Sequence, residues 1–179
     1  MPKYIAFLRG INIGGRKKMP MADLREVLRN IGLAHVHTYI QSGNVVFTSR
    51  ATDKTGLEKR METAIFEVFG FEVPVLVKLR EELIAILENN PFAMEGEGAR
   101  GQVYFVLLKD RPDTESRKAF DSETYDNEAF YCTPNCVYLN CGRGYGKARL
   151  NNNLVERKLK VGATTRNYKT LSRLVEMSG

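Results

Sequence analysis

Arg9, Arg16, Lys17 and Lys18 lie in one short stretch, with Gly10, Gly14 and Gly15 among them and no carboxylate between. Glycine lets a backbone curl so that several N–H groups face one way, and arginine and lysine add positive charge. That combination suits a phosphate or another anion. An apolar run, residues 4–8, precedes the stretch, and a helical pattern from Met21 follows it. The order strand, glycine loop, helix start also brings the positive end of a helix dipole to the loop. From Gly10 to Lys17 the spacing is G-x-x-x-x-G-R-K. A nucleotide P-loop needs Lys and then Ser or Thr after its last glycine, because the hydroxyl ligates magnesium. Arg16 and Lys17 stand there instead, and the G-x-G-x-x-G spacing of dinucleotide sites is lacking as well. The stretch therefore predicts anion binding by Arg9, Gly14, Gly15, Arg16, Lys17 and Lys18 without NTPase chemistry. The competing reading is a turn that needs positive φ at Gly14 or Gly15.

A second glycine stretch, residues 142–149, places Arg143 and Lys147 around Tyr145 just before another helical pattern. Cations beside an aromatic ring can contact phosphate and base together; a plain hairpin-to-helix connection is the competing reading. A third stretch is residues 163–168. Thr164 or Thr165 reads as the cap of a final helix over 165–177, which leaves Arg166 and Asn167 in its first turn. A cation is disfavoured there unless an anion compensates it. Asn12, Gln41, Asn44 and Asn167 are the side chains expected to orient a ligand by hydrogen bonds.

The remaining reactive residue types form no convincing centre. His35 and His37 alternate on one predicted strand but have no third metal ligand. Cys132, Cys136 and Cys141 are spaced C-x3-C and C-x4-C, looser than zinc knuckles, and read as packed free thiols. The sequence singles out no catalytic residue, and no metal or cofactor is expected.

The charge is uneven: +5 over residues 1–40, −6 over 41–142 and +7 over 143–179. If the two ends meet, they form one positive surface that attracts nucleic acid or a phosphate-bearing small molecule. Helix faces that are simply solvated are the alternative. The apolar runs are strand-length, so no membrane partner is expected, and no basic-then-apolar leader precedes them. An odd number of cysteines points to a reducing cytoplasm.

Periodicity supplies the elements that must position these residues. Strand patterns cover 4–8, 36–40, 45–47 and 72–78, with helical patterns over 21–31 and 53–69. The order β-α-β-β-α-β is the split-βαβ, ferredoxin-like pattern. A connecting helix over 79–89 and a loop over 92–101 follow. The second half then reads β-α-β-β-α plus an extra helix, a partial echo. The expected fold is α+β, with two ferredoxin-like units of antiparallel sheet over residues 1–90 and 91–179 and an extra C-terminal helix. Asn44 and Val46 stand where an RNA-recognition sheet would carry stacking rings, which argues against that mode of binding.

Four strings carry a family resemblance: Tyr4 to Gly15, Pro20 to Leu24, Thr38 to Phe47 and Ala163 to Tyr168. They resemble a bacterial family known only as a domain of unknown function. Its members open with Y-x-A-L-L-R-G-I-N-V-G-G, carry T-Y-I-Q-S-G-N-V-V-F in the hairpin and close with A-T-T-R-N-W. Tyr168 replaces the usual Trp. The resemblance implies ferredoxin-like halves and a cytoplasmic protein, and it implies no activity. The expected function is a binding module for RNA or a nucleotide. The alternatives are an enzyme on a small anionic metabolite, or an interaction module, such as a homodimer formed through an exposed sheet face or edge.

Overall fold

The computed structural model describes residues 1–96 and 101–179. The expected loop over 92–101 therefore lies partly outside the described residues. By packing, the chain divides into one unit of Met1–Ile84 with Arg173–Gly179 and another of Ala85–Ser172. The division falls inside a helix ahead of the 92–101 loop, and the last residues count with the first unit.

The first unit holds β1 (Lys3–Leu8), α1 (Met21–Asn30), β2 (Ala34–Tyr39), β3 (Asn44–Thr48), α2 (Lys54–Phe69) and β4 (Val75–Leu79). Its antiparallel sheet is ordered β2-β3-β1-β4. Alternate residues of the strands, Tyr4, Ala6, Leu8, Val45, Phe47, Val75 and Val77, pack with Leu24 and Leu28 of α1 and Leu57, Met61 and Ile65 of α2. Each large apolar side chain buried there contributes roughly 1.5–3 kcal/mol. Local chemistry sets the helix ends. Asp53 caps α2 by accepting from Thr55 N at 3.1 Å, and Gly70 closes it with φ +78°.

α3 (Arg80–Glu88) leads into the second unit, which holds β5 (Val103–Leu108), α4 (Thr114–Asp121), β6 (Glu128–Cys132), β7 (Cys136–Cys141), α5 (Asn152–Leu159) and β8 (Ala163–Asn167), followed by α6 (Tyr168–Met177). Its sheet order, β6-β7-β5-β8, repeats that of the first. The fold is α+β with two complete ferredoxin-like units. The expected pattern lacks β8, because its short sequence, Ala-Thr-Thr-Arg-Asn, is polar and reads as a helix cap. The final helix begins at Tyr168 instead of residue 165, and Asn167 caps it by accepting from Thr170 N at 2.9 Å.

Both sheets close their outer strands with side chains from their own helices. Glu58 and Glu62 of α2 accept from Val77 N and Val75 N, each at 2.9 Å. Arg25 and Arg29 of α1 donate to Thr38 Oγ1 at 2.6 Å and the Val36 carbonyl at 3.4 Å on the opposite edge. In the second unit Arg117 of α4 donates to the Cys132 carbonyl at 2.8 Å. Unpaired strand edges invite edge-to-edge association, and these bonds blunt them. Among the described residues no helix is long and apolar enough to cross a membrane.

Candidate functional site

Three loops meet at one end of the first sheet: residues 9–20 after β1, residues 40–43 between β2 and β3, and residues 70–74 before β4. Backbone bonds hold them together. Leu8 N donates to the Gly43 carbonyl at 2.8 Å and Arg9 N to the Pro74 carbonyl at 3.1 Å. Gly43 permits the first approach. It has φ +88°, and a Cβ there would stand 2.6 Å from Leu8 Cβ and 2.9 Å from Ile11 Cδ1.

Within the first loop the chain makes a small hairpin. Arg16 N donates to the Ile13 carbonyl at 2.9 Å and Asn12 N to the Lys17 carbonyl at 3.1 Å. Gly14 and Gly15, with φ +56° and +74°, form its tip. Positive φ at both central residues marks a type I′ turn, which glycine favours. The glycines thus turn a finger and do not cradle the start of α1, which begins at Met21 after an extended Pro20. No added Cβ at Gly10, Gly14 or Gly15 would meet an atom within 4 Å, so the finger stands in open space. Arg16 and Lys18 are exposed on it. Lys17 is exposed too, but its ammonium is held by the Glu72 carbonyl at 2.6 Å. Arg9 is half-buried at the base.

Asn12 and Asn44 are used by the protein itself. The Asn12 amide donates to the Met19 carbonyl at 3.0 Å and the Gln41 carbonyl at 2.8 Å, and its Oδ1 accepts from Met19 N at 2.8 Å. It therefore fixes the finger to the hairpin turn. Asn44 is fully buried, and its amide donates to the Tyr39 carbonyl and Ser42 Oγ, both at 3.0 Å. Both side chains are thus engaged by the protein's own groups. Gln41 is exposed beside them.

Two residues of this surface escaped the sequence reading. Ile13 is 66% exposed and Ile40 50%. The alternation over 36–40 predicts a strand that includes Ile40, but β2 ends at Tyr39 and Ile40 turns the chain with φ +49°, a costly conformation for a β-branched residue. The available signal was the position of Ile13 beside a glycine pair, where a tight turn must expose its flanks.

In the second unit, Arg143 and Lys147 border a small cavity of about 180 Å³ together with Asp126, Glu128 and Arg149. The carboxylates offset part of the positive field. Glu128 also organises the loop by accepting from Leu150 N at 2.8 Å and Arg149 N at 3.2 Å. Tyr145 stacks on Tyr104 with ring centroids 4.6 Å apart, and its hydroxyl accepts from Asn152 N at 3.0 Å. Arg166 lies in β8 and not in a first helical turn, so the helix-dipole argument for an anion there falls away. Burial pushes its guanidinium down to about 10, still charged at neutral pH. Thr165 Oγ1 donates to Asn152 Oδ1 at 2.7 Å.

The three cysteines are free and buried. Burial pushes the Cys132 and Cys141 thiols up to about 11, away from the thiolate a nucleophile needs. His35 and His37 are exposed, and a bulge interrupts their strand's register between Ala34 and His37. Among the described residues no cluster of three or more His, Cys, Asp or Glu could hold a metal ion.

The family model described as a protein of unknown function, DUF1697, matches residues 1–138. The chain belongs to that family. The match runs from β1 to within β7, and so includes the three-loop surface of the first unit. A solved structure, that of a conserved bacterial protein from Streptococcus pneumoniae, is similar to this chain with a TM-score of 0.76 at 26% identity, covering 99% of each chain. No curated protein matches it. The resemblance read from the motifs is thus met at the level of family and fold.

Proposed function

We propose that the three-loop end of the first unit is a binding surface for the phosphate backbone of a nucleic acid. The observation that carries the reading is the finger at residues 12–17: it projects exposed Arg16, flanked by exposed Lys18, from a stretch without a single carboxylate. Cations projected into solvent on a hydrogen-bonded finger attract polyanions. A polymer fits better than a small nucleotide. Small ligands take concave sites that bury most of their surface, whereas this surface stands proud. The nearby hollow on α2, lined by Glu62 and Glu72 among others, has the wrong sign for an anion. Arg143 and Lys147 make a secondary basic surface on the second unit. The buried free thiols suit a protein of the reducing cytoplasm.

The test is fluorescence anisotropy of a labelled generic RNA at low and near-physiological salt. Saturable binding that weakens steeply with salt is the expected result, and Arg16→Gln should lower the salt slope by about one. Absence of binding at low salt would remove the reading.

A further inference from the structure

Arg16 and Lys18 account for the charge of this surface but not for its isoleucines. Ile13 and Ile40 are exposed at 66% and 50% on two different loops. Asn12 and Gln41, their chain neighbours, are joined by the 2.8 Å bond from the Asn12 amide to the Gln41 carbonyl. The two isoleucines therefore sit on loops that are bonded to each other one residue away. Ile40 is also held at φ +49°, where glycine or asparagine would be the unstrained choice. Neither isoleucine adds to the core. Each is an apolar side chain left exposed to water.

We infer that Ile13 and Ile40 act as apolar wedges that enter a bound nucleic acid at an unstacked base step, while Arg16 and Lys18 hold the flanking phosphates. The inference rests on the proposed function and names the form of nucleic acid that this surface prefers. Isoleucine is among the side chains that architectural proteins insert between base steps, and it cannot replace the flat rings that grip a continuous single strand. The class expected is a duplex, DNA or RNA, with a bulge, mismatch or other weakened step, because part of the unstacking cost is then already met. A lipid surface is the less favoured partner. Even a whole myristoyl chain gives only marginal membrane binding, and two isoleucine side chains bury less.

The experiment compares the full chain on labelled duplexes, DNA and RNA, that are either fully paired or carry one unpaired central base. Tighter binding to the bulged form, by about tenfold, is expected. Ile13→Ser combined with Ile40→Ser should abolish that preference and leave the salt slope unchanged. Arg16→Gln should lower the slope by about one and keep the preference. Equal binding of paired and bulged duplexes by the wild type, or a preference that survives the double serine variant, overturns the inference while the phosphate-binding surface stands. No binding to either form, or to single-stranded RNA, at low salt overturns both. Wild-type binding to phosphatidylserine vesicles that the serine variant loses, without any bulge preference, reassigns the isoleucines to a membrane.

Discussion

Glu62 and Glu156 occupy equivalent places in the two units. Each reaches from the second helix of its unit to the backbone N–H that opens the outer strand: Val75 N at 2.9 Å and Ala163 N at 3.3 Å. The residues four earlier complete the parallel. Glu58 takes Val77 N at 2.9 Å, and Asn152 donates to the Ala163 carbonyl at 3.1 Å and accepts from Thr165 Oγ1 at 2.7 Å. An i,i+4 pair of polar residues lies on one helix face, and alternate residues lie along one strand edge. The repeat is therefore one of function at the strand edge, and it is visible only once helix and strand are side by side.

Glu58 is the buried member of this latch. Glu58→Ala leaves Val77 N without that acceptor and is expected to destabilise the fold by about 1–3 kcal/mol. Glu58→Gln keeps an accepting oxygen and should cost less. Urea denaturation checks both; an alanine variant as stable as the wild type would contradict the role.

Asn12 should behave as a positioning residue. Asn12→Ala removes three hydrogen bonds, each worth roughly 1 kcal/mol net, and frees the finger from the hairpin turn. Faster hydrogen exchange at the Met19 amide is expected, together with weaker nucleic-acid binding. Unchanged exchange at Met19 would show that the finger does not depend on Asn12.

Two changes in the 40–43 turn should have opposite signs. Ile40→Gly relieves a left-handed β-branched residue and should stabilise by about 1 kcal/mol. Gly43→Ala puts a Cβ within 2.6 Å of Leu8 Cβ at φ +88°, which should cost about 2–4 kcal/mol. Thermal melting of the two variants reads both signs at once.

Glu82 should contribute to acid sensitivity. Burial pushes its carboxyl up, but the Lys54 ammonium at 2.7 Å, Leu79 N at 2.7 Å and the Lys78 charge together hold it below the ordinary 4.5. A lowered carboxyl stabilises the fold above its unfolded pKa and loses that contribution as pH falls through its folded pKa. Glu82→Gln should therefore be less stable than wild type at neutral pH, with the gap closing below about pH 4.5. A gap that stays constant down to acid would assign the effect to packing.

Much of the fold was legible because apolar periodicity is a local property. The stripes of α1 and α2 and the short apolar runs of β1 and β3 are written in consecutive residues, and Asp53 and Gly70 mark helix ends by their own chemistry. β8 was not legible, since Thr164, Thr165, Arg166 and Asn167 have no apolar alternation and become a strand by pairing with β5. The site was half legible. Its charge was evident, but Asn12 and Asn44 look the same in a sequence whether they bond a ligand or the protein's own backbone. The exposure of Ile40 depends on where β2 stops, which its turn partners decide.

The most direct measurement is a backbone amide NMR titration of the full chain with a generic RNA. The account predicts that the largest shifts cluster at residues 10–18 and 40–43, with Gly14, Gly15 and Arg16 foremost. Shifts confined to the second unit, around Arg143 and Lys147, would contradict it.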